Sequence, residues 1–191
     1  VHYARVIHGY HGCDAMVAEQ LLAGEPFTPS ENDYDWLGHG IYFWEFGLDR
    51  AFRFAVEQQR RGKVKTPAVI GAVLQLGNCF DLFDTRFTTA LAAGYARWKD
   101  LIRAGGVDLP VNTGQAPEYK LRRRDCAVLN WYLDEVAAAG LRYDTVRGGF
   151  VEGGPVYEGS GFAAETHIQI SVRNPDCIVG VFRPRLERRT P

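Results

Sequence analysis

The sequence predicts an α+β fold: short strands in mostly antiparallel sheets, helices packed outside them, and two helices inserted midway, within one domain over 1–191. Three observations carry this. Val69, Ile70, Ala72, Val73, Leu74 and Leu76 make residues 69–76 almost wholly apolar, as in a strand covered on both faces. Residues 165–172 alternate: Thr166, Ile168, Ile170 and Val172 face one way, Glu165, His167, Gln169 and Ser171 the other. Between these strands lie two helical patterns, 88–104 and 119–139, so that 84–142 reads as a helical insertion. A linker marked by Gly105, Gly106, Pro110, Gly114 and Pro117 separates the two helices.

The remaining elements follow in order. Residues 4–10 carry β-branched and aromatic side chains and read as a first strand. Asp14 is placed to cap a helix containing Met16, Val17, Leu21 and Leu22, which Gly24 ends. A polar loop, 28–33, precedes Gly38-His39-Gly40-Ile41-Tyr42-Phe43-Trp44. A helix over 49–60 sets Ala51, Phe54 and Ala55 on one side. The glycine-rich stretch 147–162 reads as a long irregular loop, a type that is usually functional inside a compact domain. Asn174-Pro175-Asp176 turns the chain into a last strand, 177–182.

Composition narrows the function classes. The chain has 191 residues, 46% hydrophobic and 24% charged, which fits a folded domain and excludes a disordered one. No apolar run reaches the roughly 20 residues that span a bilayer, and a secretory signal pattern is absent, so a cytoplasmic protein with no membrane partner is expected. The chain starts at Val1 rather than Met, which leaves room for an upstream segment. A net charge of −1 provides no global field for nucleic acid, so such a partner requires a local basic patch. Cys13, Cys79, Cys126 and Cys177 are scattered without C-x-x-C spacing or close histidines; reduced, buried thiols are expected, and no metal.

The residues able to carry chemistry lie in three segments. At His11-Gly12, a missing Cβ lets a ligand approach the backbone of a strand end. Gly38 and Gly40 bracket a turn that opens backbone beside Tyr42. Aromatic faces stack on flat heterocycles and backbone amides bond carboxamides, demands that a nicotinamide ring meets. The Glu165/His167/Gln169 face adds an acid and an amide beside the glycine-rich loop.

Taken in this order, the segments resemble the ADP-ribosyltransferase superfamily, in its diphtheria-toxin-like and poly(ADP-ribose) polymerase-like (H-Y-E) branch. Tyr10-His11-Gly12-Cys13 is similar to the first motif, and Gly38-His39-Gly40-Ile41-Tyr42-Phe43 to the second almost letter for letter. Residues 72–82 (AVLQLGNCFDL) are similar to the family's strand ending Leu-Gly-Asn, an aromatic and Leu. Residues 167–182 are similar to its last hairpin. The resemblance covers residues 3–83 and 145–184. It implies split antiparallel β-sheets with peripheral helices, and has no counterpart for the two-helix insertion.

The resemblance also implies NAD as co-substrate. His11 would bond a ribose hydroxyl, the Gly12 backbone would hold the carboxamide, and Tyr42, beside Gly40, would stack on the ring. Glu165 would stabilise the oxocarbenium ion formed as nicotinamide leaves. Three positions depart from the family pattern. Arg53 stands where a second aromatic is expected, and one inserted residue brings Phe54 there. Arg50 or Ala51 stands where a carboxamide-binding serine is expected. Ungapped counting from Pro175 puts Ala164 at the catalytic acid, so Glu165 needs a one-residue shift, and Gln169 on the same face is its rival.

The expected function is therefore NAD-dependent mono-ADP-ribosyl transfer to a macromolecular acceptor, protein or nucleic acid, by a bacterial toxin or defence effector. The family's habits imply a neutralising antitoxin or immunity protein. NAD hydrolysis and a non-catalytic NAD- or ADP-ribose-binding module are the alternatives. Lys120, Arg122, Arg123 and Arg124 form a basic run in the insertion that reads either as a solvated helix face or as a grip on a phosphate-bearing acceptor. Arg183, Arg185, Arg188 and Arg189 extend the basic character at the tail.

Overall fold

The structure, a computed structural model, describes residues 2–115 and 119–185. It is α+β, with eight strands and four α-helices among the described residues: β1 (His2–Asp14), α1 (Ala15–Leu22), β2 (Ile41–Glu45), α2 (Leu48–Arg60), β3 (Pro67–Asp81), α3 (Thr85–Ala104), β4 (Asn112–Thr113), β5 (Leu121–Arg122), α4 (Arg123–Ala138), β6 (Thr145–Phe150), β7 (His167–Val172) and β8 (Ile178–Phe182). A 3-10 turn, Pro175–Cys177, precedes β8.

Six of the strands join into one sheet in the order β1-β2-β7-β6-β3-β8, where split antiparallel sheets were expected, and β4 and β5 pair apart from it. The cause is β3, whose 15 residues are enough to pair β1 and β8 antiparallel along its first part and β6 at its end. Because β1 also pairs β2, the pairings β1–β2–β7–β6–β3–β1 close a ring. The β3–β6 pairing is parallel, and parallel neighbours need a long crossover. The helical insertion is that crossover.

Three core clusters divide the space. Ile7, Phe43, Leu74, Cys79, Ile170 and Val172 come from the ring strands and pack together. Leu37, Phe80, Phe87, Leu129, Leu133 and Val146 bury α3 and α4 against β3 and β6. Trp44, Ala51 and Val69 seat α2, whose Ala51 and Ala55 are fully buried as their spacing predicts. Asp14 caps α1 by accepting the Met16 N–H at 3.0 Å, and Asp84 caps α3 through the Arg86 N–H at 2.9 Å.

Several expected boundaries move. The first strand runs to Asp14, beyond residue 10, because β3 offers a partner along its whole length. The helix expected from Tyr119 begins at Arg123; Leu121 and Arg122 instead pair with Asn112 and Thr113 in a small hairpin. Residues 145–150, expected in part as irregular loop, form β6. Its glycines are packing positions: a Cβ on Gly148 would meet Leu37 at 2.9 Å, and one on Gly149 would meet the Phe83 ring at 2.4 Å. β7 starts at His167, two residues after Glu165. Arg188 and Arg189 lie outside the described residues.

A buried ionic group ties three strands of the ring. Arg147 on β6 donates from Nε to Glu45 of β2 at 2.6 Å and from Nη1 to Asp81 of β3 at 3.1 Å. All three residues are buried, and the exposed Arg5 reaches Glu45 at 3.3 Å. Removing the shared cation would strand two buried carboxylates. Arg147→Met should cost about 3–5 kcal/mol in urea unfolding, whereas Arg5→Met should cost less than about 1 kcal/mol.

Candidate functional site

The site begins where β1 and β2 part. They pair only at Gly9–Glu45 and Tyr10–Trp44. The His8 carbonyl accepts from Phe46 N–H at 3.1 Å, so it faces β2, while Ala15 N–H bonds Thr66 on the β3 side. Backbone groups switch edges with every residue along a strand, so Tyr10 and Gly12 share the direction of His8. Beyond Tyr10 that edge has no partner strand among the described residues. The N–H and C=O of Gly12 therefore point off an open edge.

The opening is a cavity of about 460 Å³, a size typical of small-molecule sites. His11, Gly12, Gly40, Tyr42, Phe54 and Gln169, all predicted from sequence, line it together with Trp44, Arg50 and Glu152.

His11 bridges the parted strands. Its Nδ1 lies 2.8 Å from the Tyr42 carbonyl, an acceptor, so Nδ1 carries the hydrogen and Nε2 is left as an acceptor in the neutral ring. Burial, with Phe27 and Phe43 against the ring, lowers its pKa below 6.5 and favours that neutral form. A hydroxyl group can donate to Nε2.

Packing also requires glycine at position 12. A Cβ there would sit 2.1 Å from the Ala51 carbonyl, so the missing side chain lets α2 close on β1. Gly40 has φ +151°, and a Cβ on it would meet Ser171 Oγ at 2.3 Å. Tyr42 donates to the Gly38 carbonyl at 2.6 Å and accepts from Leu37 N–H at 2.8 Å, which fixes its ring. Burial raises its pKa well above 10, and the phenol stays protonated. Phe54, the shifted candidate for the second aromatic, packs on Trp44 with ring centroids 5.0 Å apart.

The acids are arranged differently from the expectation. Glu165 is not among the cavity residues; it is half-exposed and pairs with Arg53 at 3.5 Å. The stagger of β7 is responsible, since Glu165 precedes the strand and only Gln169 reaches the cavity. Of the carboxylates that line the cavity, with Asp35 and Glu57, the most deeply buried is Glu152, 3% exposed and 3.0 Å from Arg50. Thus the two departures at Arg53 and Arg50 each hold an acid, one outside the cavity and one within it. Sequence reasoning missed Glu152 because 147–162 read as loop. The available signal was an acid directly after a strand-like Val-Arg-Gly-Gly-Phe-Val.

A hydrogen-bond chain sets the direction of the Gln169 amide. His167 Nδ1 faces the Glu165 carbonyl at 2.8 Å and so carries the hydrogen. Its Nε2 must then accept from Gln169 Nε2 at 2.9 Å, which turns the Gln169 Oε1 away from the imidazole. Burial lowers the His167 pKa below 6.5, and Glu152 lies 3.4 Å from Nδ1. Beside this chain Trp44 Nε1, Arg50 Nε and Arg50 Nη1 are buried without a hydrogen-bond acceptor among the described residues, so the wall is rich in donors.

The insertion forms the opposite wall. Trp36 Nε1 donates to the Lys120 carbonyl at 3.0 Å, and Arg122 lies 4.2 Å over the Trp36 ring and 4.8 Å over Phe150. Arg123 pairs with Asp33 at 2.9 Å, and Arg124 donates to the Pro110 carbonyl at 2.8 Å. Of the basic run, only Lys120 lines the cavity; Arg122, Arg123 and Arg124 hold the wall in place. Arg183 pairs with Glu19 at 2.7 Å.

No group of three or more potential metal ligands comes together among the described residues. All four cysteines are free and buried, and burial pushes Cys79 up to about 12 and Cys13 to about 11, far from thiolate character at neutral pH. No helix among the described residues is long and apolar enough to cross a membrane.

Comparison with known proteins adds one relative. An uncharacterized protein of Methanocaldococcus jannaschii is 36% identical over 77 residues, covering 38% of this chain. The matched region spans 36% of that relative's length. No family model and no solved structure matches the chain.

Two outcomes test this geometry. Gly12→Ala should destabilise by about 1–3 kcal/mol through the clash with α2, while Gly180→Ala, where a Cβ would meet nothing within 4 Å, should stay within about 0.5 kcal/mol. His11 and His167 both have folded pKa values below 6.5, so the unfolded chain binds more protons once pH falls through 6.5. The melting temperature should therefore fall with acidification below that value, and His167→Gln should reduce the slope.

Proposed function

We propose that the chain is an NAD-dependent mono-ADP-ribosyltransferase. The observation that carries this reading is the open edge of β1, where the Gly12 backbone offers a donor and an acceptor beside His11 Nε2 and the fixed Tyr42 ring. A primary carboxamide needs one donor and one acceptor, an aromatic heterocycle needs a flat partner, and a ribose hydroxyl needs an acceptor. A nicotinamide riboside group presents all three. The cavity volume accommodates that half of the dinucleotide.

In this reading the bond between nicotinamide and the ribose anomeric carbon breaks, and nicotinamide departs with the electron pair. The sugar becomes an oxocarbenium ion, so negative potential fixed in advance lowers the barrier. Glu152 supplies the charge and Gln169 a carbonyl dipole, in the role that the sequence suggests for Glu165 or Gln169. Arg50 holds Glu152, and His167 sets the Gln169 amide. A nucleophile of the acceptor then bonds the anomeric carbon and loses its proton to solvent. The part of toxin or defence effector, with an antitoxin or immunity partner, rests on the family resemblance.

The tie between Glu152 and Arg50 favours one second reading, a module that binds NAD or ADP-ribose without turnover, because a neutralised carboxylate stabilises a cation less.

The test is release of nicotinamide from NAD, followed chromatographically with and without cell lysate. Wild type should release it. Glu152→Gln and Gln169→Ala should each lower the rate by about 10²–10³-fold if they act on the developing charge, with NAD still bound and melting temperature checked. Glu165→Gln should leave the rate within two- to three-fold, on the order expected of a surface ion pair. Binding without release supports the module; release at full rate without lysate supports NAD hydrolysis; loss of rate in Glu165→Gln alone restores Glu165 to the catalytic role.

A further inference from the structure

The cavity opens beside the turn that joins α2 to β3, and that turn carries a cluster of exposed cations. Arg60, Arg61 and Lys63 are all exposed, and none has an ion-pair partner among the described residues. Lys65, the next cation, sits beside the Asp14 carboxylate. Gly62 at the tip has φ +72° and open space where a Cβ would be. Three like charges within four residues repel one another unless a counter-charge joins them.

Their position matters more than their number. Arg61 and Lys63 line the cavity on one side, and Lys120 of the insertion lines it on the other. The acids on the same lining are engaged: Glu152 with Arg50, Glu57 at 3.9 Å from Arg50, and Asp35 with the Asn32 N–H at 3.0 Å. An anionic chain crossing the opening would meet cations at both lips. Tyr34 lines the same cavity and offers a ring for a base. A duplex about 20 Å wide cannot enter an opening of this volume, so the strand that reaches it must be single.

We propose that the acceptor is a single-stranded nucleic acid, held at the cavity mouth through its phosphates by Arg61, Lys63 and Lys120, with Arg60 contributing at the edge. This rests on the transferase reading for the covalent step only; strand binding stands apart from it. In that step an oxygen or nitrogen of the strand bonds the anomeric carbon as nicotinamide leaves, and its proton passes to water.

The experiment measures anisotropy of labelled 20-nucleotide single-stranded RNA and DNA, the matching duplex, and labelled polyglutamate, at 50 and 200 mM salt. A single strand should bind most tightly. With about four phosphates contacted, affinity should fall roughly 50-fold across that salt range. The double variant Arg61→Glu/Lys63→Glu should lose at least ten-fold in strand affinity, with an unchanged melting temperature and NAD affinity within two-fold. Binding of polyglutamate or duplex as tightly as the single strand would overturn the proposal. An equal loss of NAD affinity in the variant would also overturn it, assigning the cations to the dinucleotide's own diphosphate. Labelled NAD then separates the two readings. Strand binding without nicotinamide release removes the transferase reading and leaves the surface. Nicotinamide release with label carried only by protein removes the nucleic-acid acceptor and leaves the transferase.

Discussion

The contact between β1 and β2 lasts for two residue pairs, and the geometry of the site follows from its brevity. A longer ladder would consume the edge at Gly12, and a shorter one would let the strands drift. His11 takes the place of the next ladder bond by reaching the Tyr42 carbonyl with a side-chain nitrogen. The separation is thereby fixed without filling the gap. On the other side α2 presses its Ala51 carbonyl against Gly12, so strand, helix and imidazole settle the width of the opening together.

Behind the opening, charge rather than apolar packing defines how the ring closes. Arg147 joins Glu45 and Asp81 from strands that are not neighbours in the sheet. Such a group adds little net stability over a well-packed apolar one, because burial of each ion is costly. It does penalise wrong pairings, since any register that separates the three leaves charge unpaired in the interior. The same economy operates at the cavity, where Arg50 and Arg53 each take an acid and so decide which carboxylate faces inward.

Much of this was legible in the sequence, and the failures have physical causes. Apolar continuity located β3, and spacing located the buried face of α2. His11, Gly12, Gly40, Tyr42, Phe54 and Gln169 were all named from residue order and all line one cavity. Glycine carries more than one meaning here. At 148–149 it suggested loop where it makes room for Leu37 and Phe83, and at Gly12 the missing Cβ, read as room for a ligand, also admits a helix. Glu152 stayed hidden because its partner Arg50 lies 102 residues away, a contact that local pattern does not encode. The basic run of the insertion read either as a solvated helix face or as a phosphate grip, yet aromatic rings, a loop acid and a backbone carbonyl engage three of its four members.

The wall built by the insertion has a thermodynamic corollary. Trp36 and Lys120 meet across 84 residues of sequence, so the wall that Lys120 and Leu121 give the cavity exists only while the insertion is docked. A ligand that fills the cavity binds the docked form and not the undocked one, and its binding energy is added to the stability of that docking. Slowed amide exchange along 119–122 would then register occupancy of the cavity, even for a ligand that touches none of those residues.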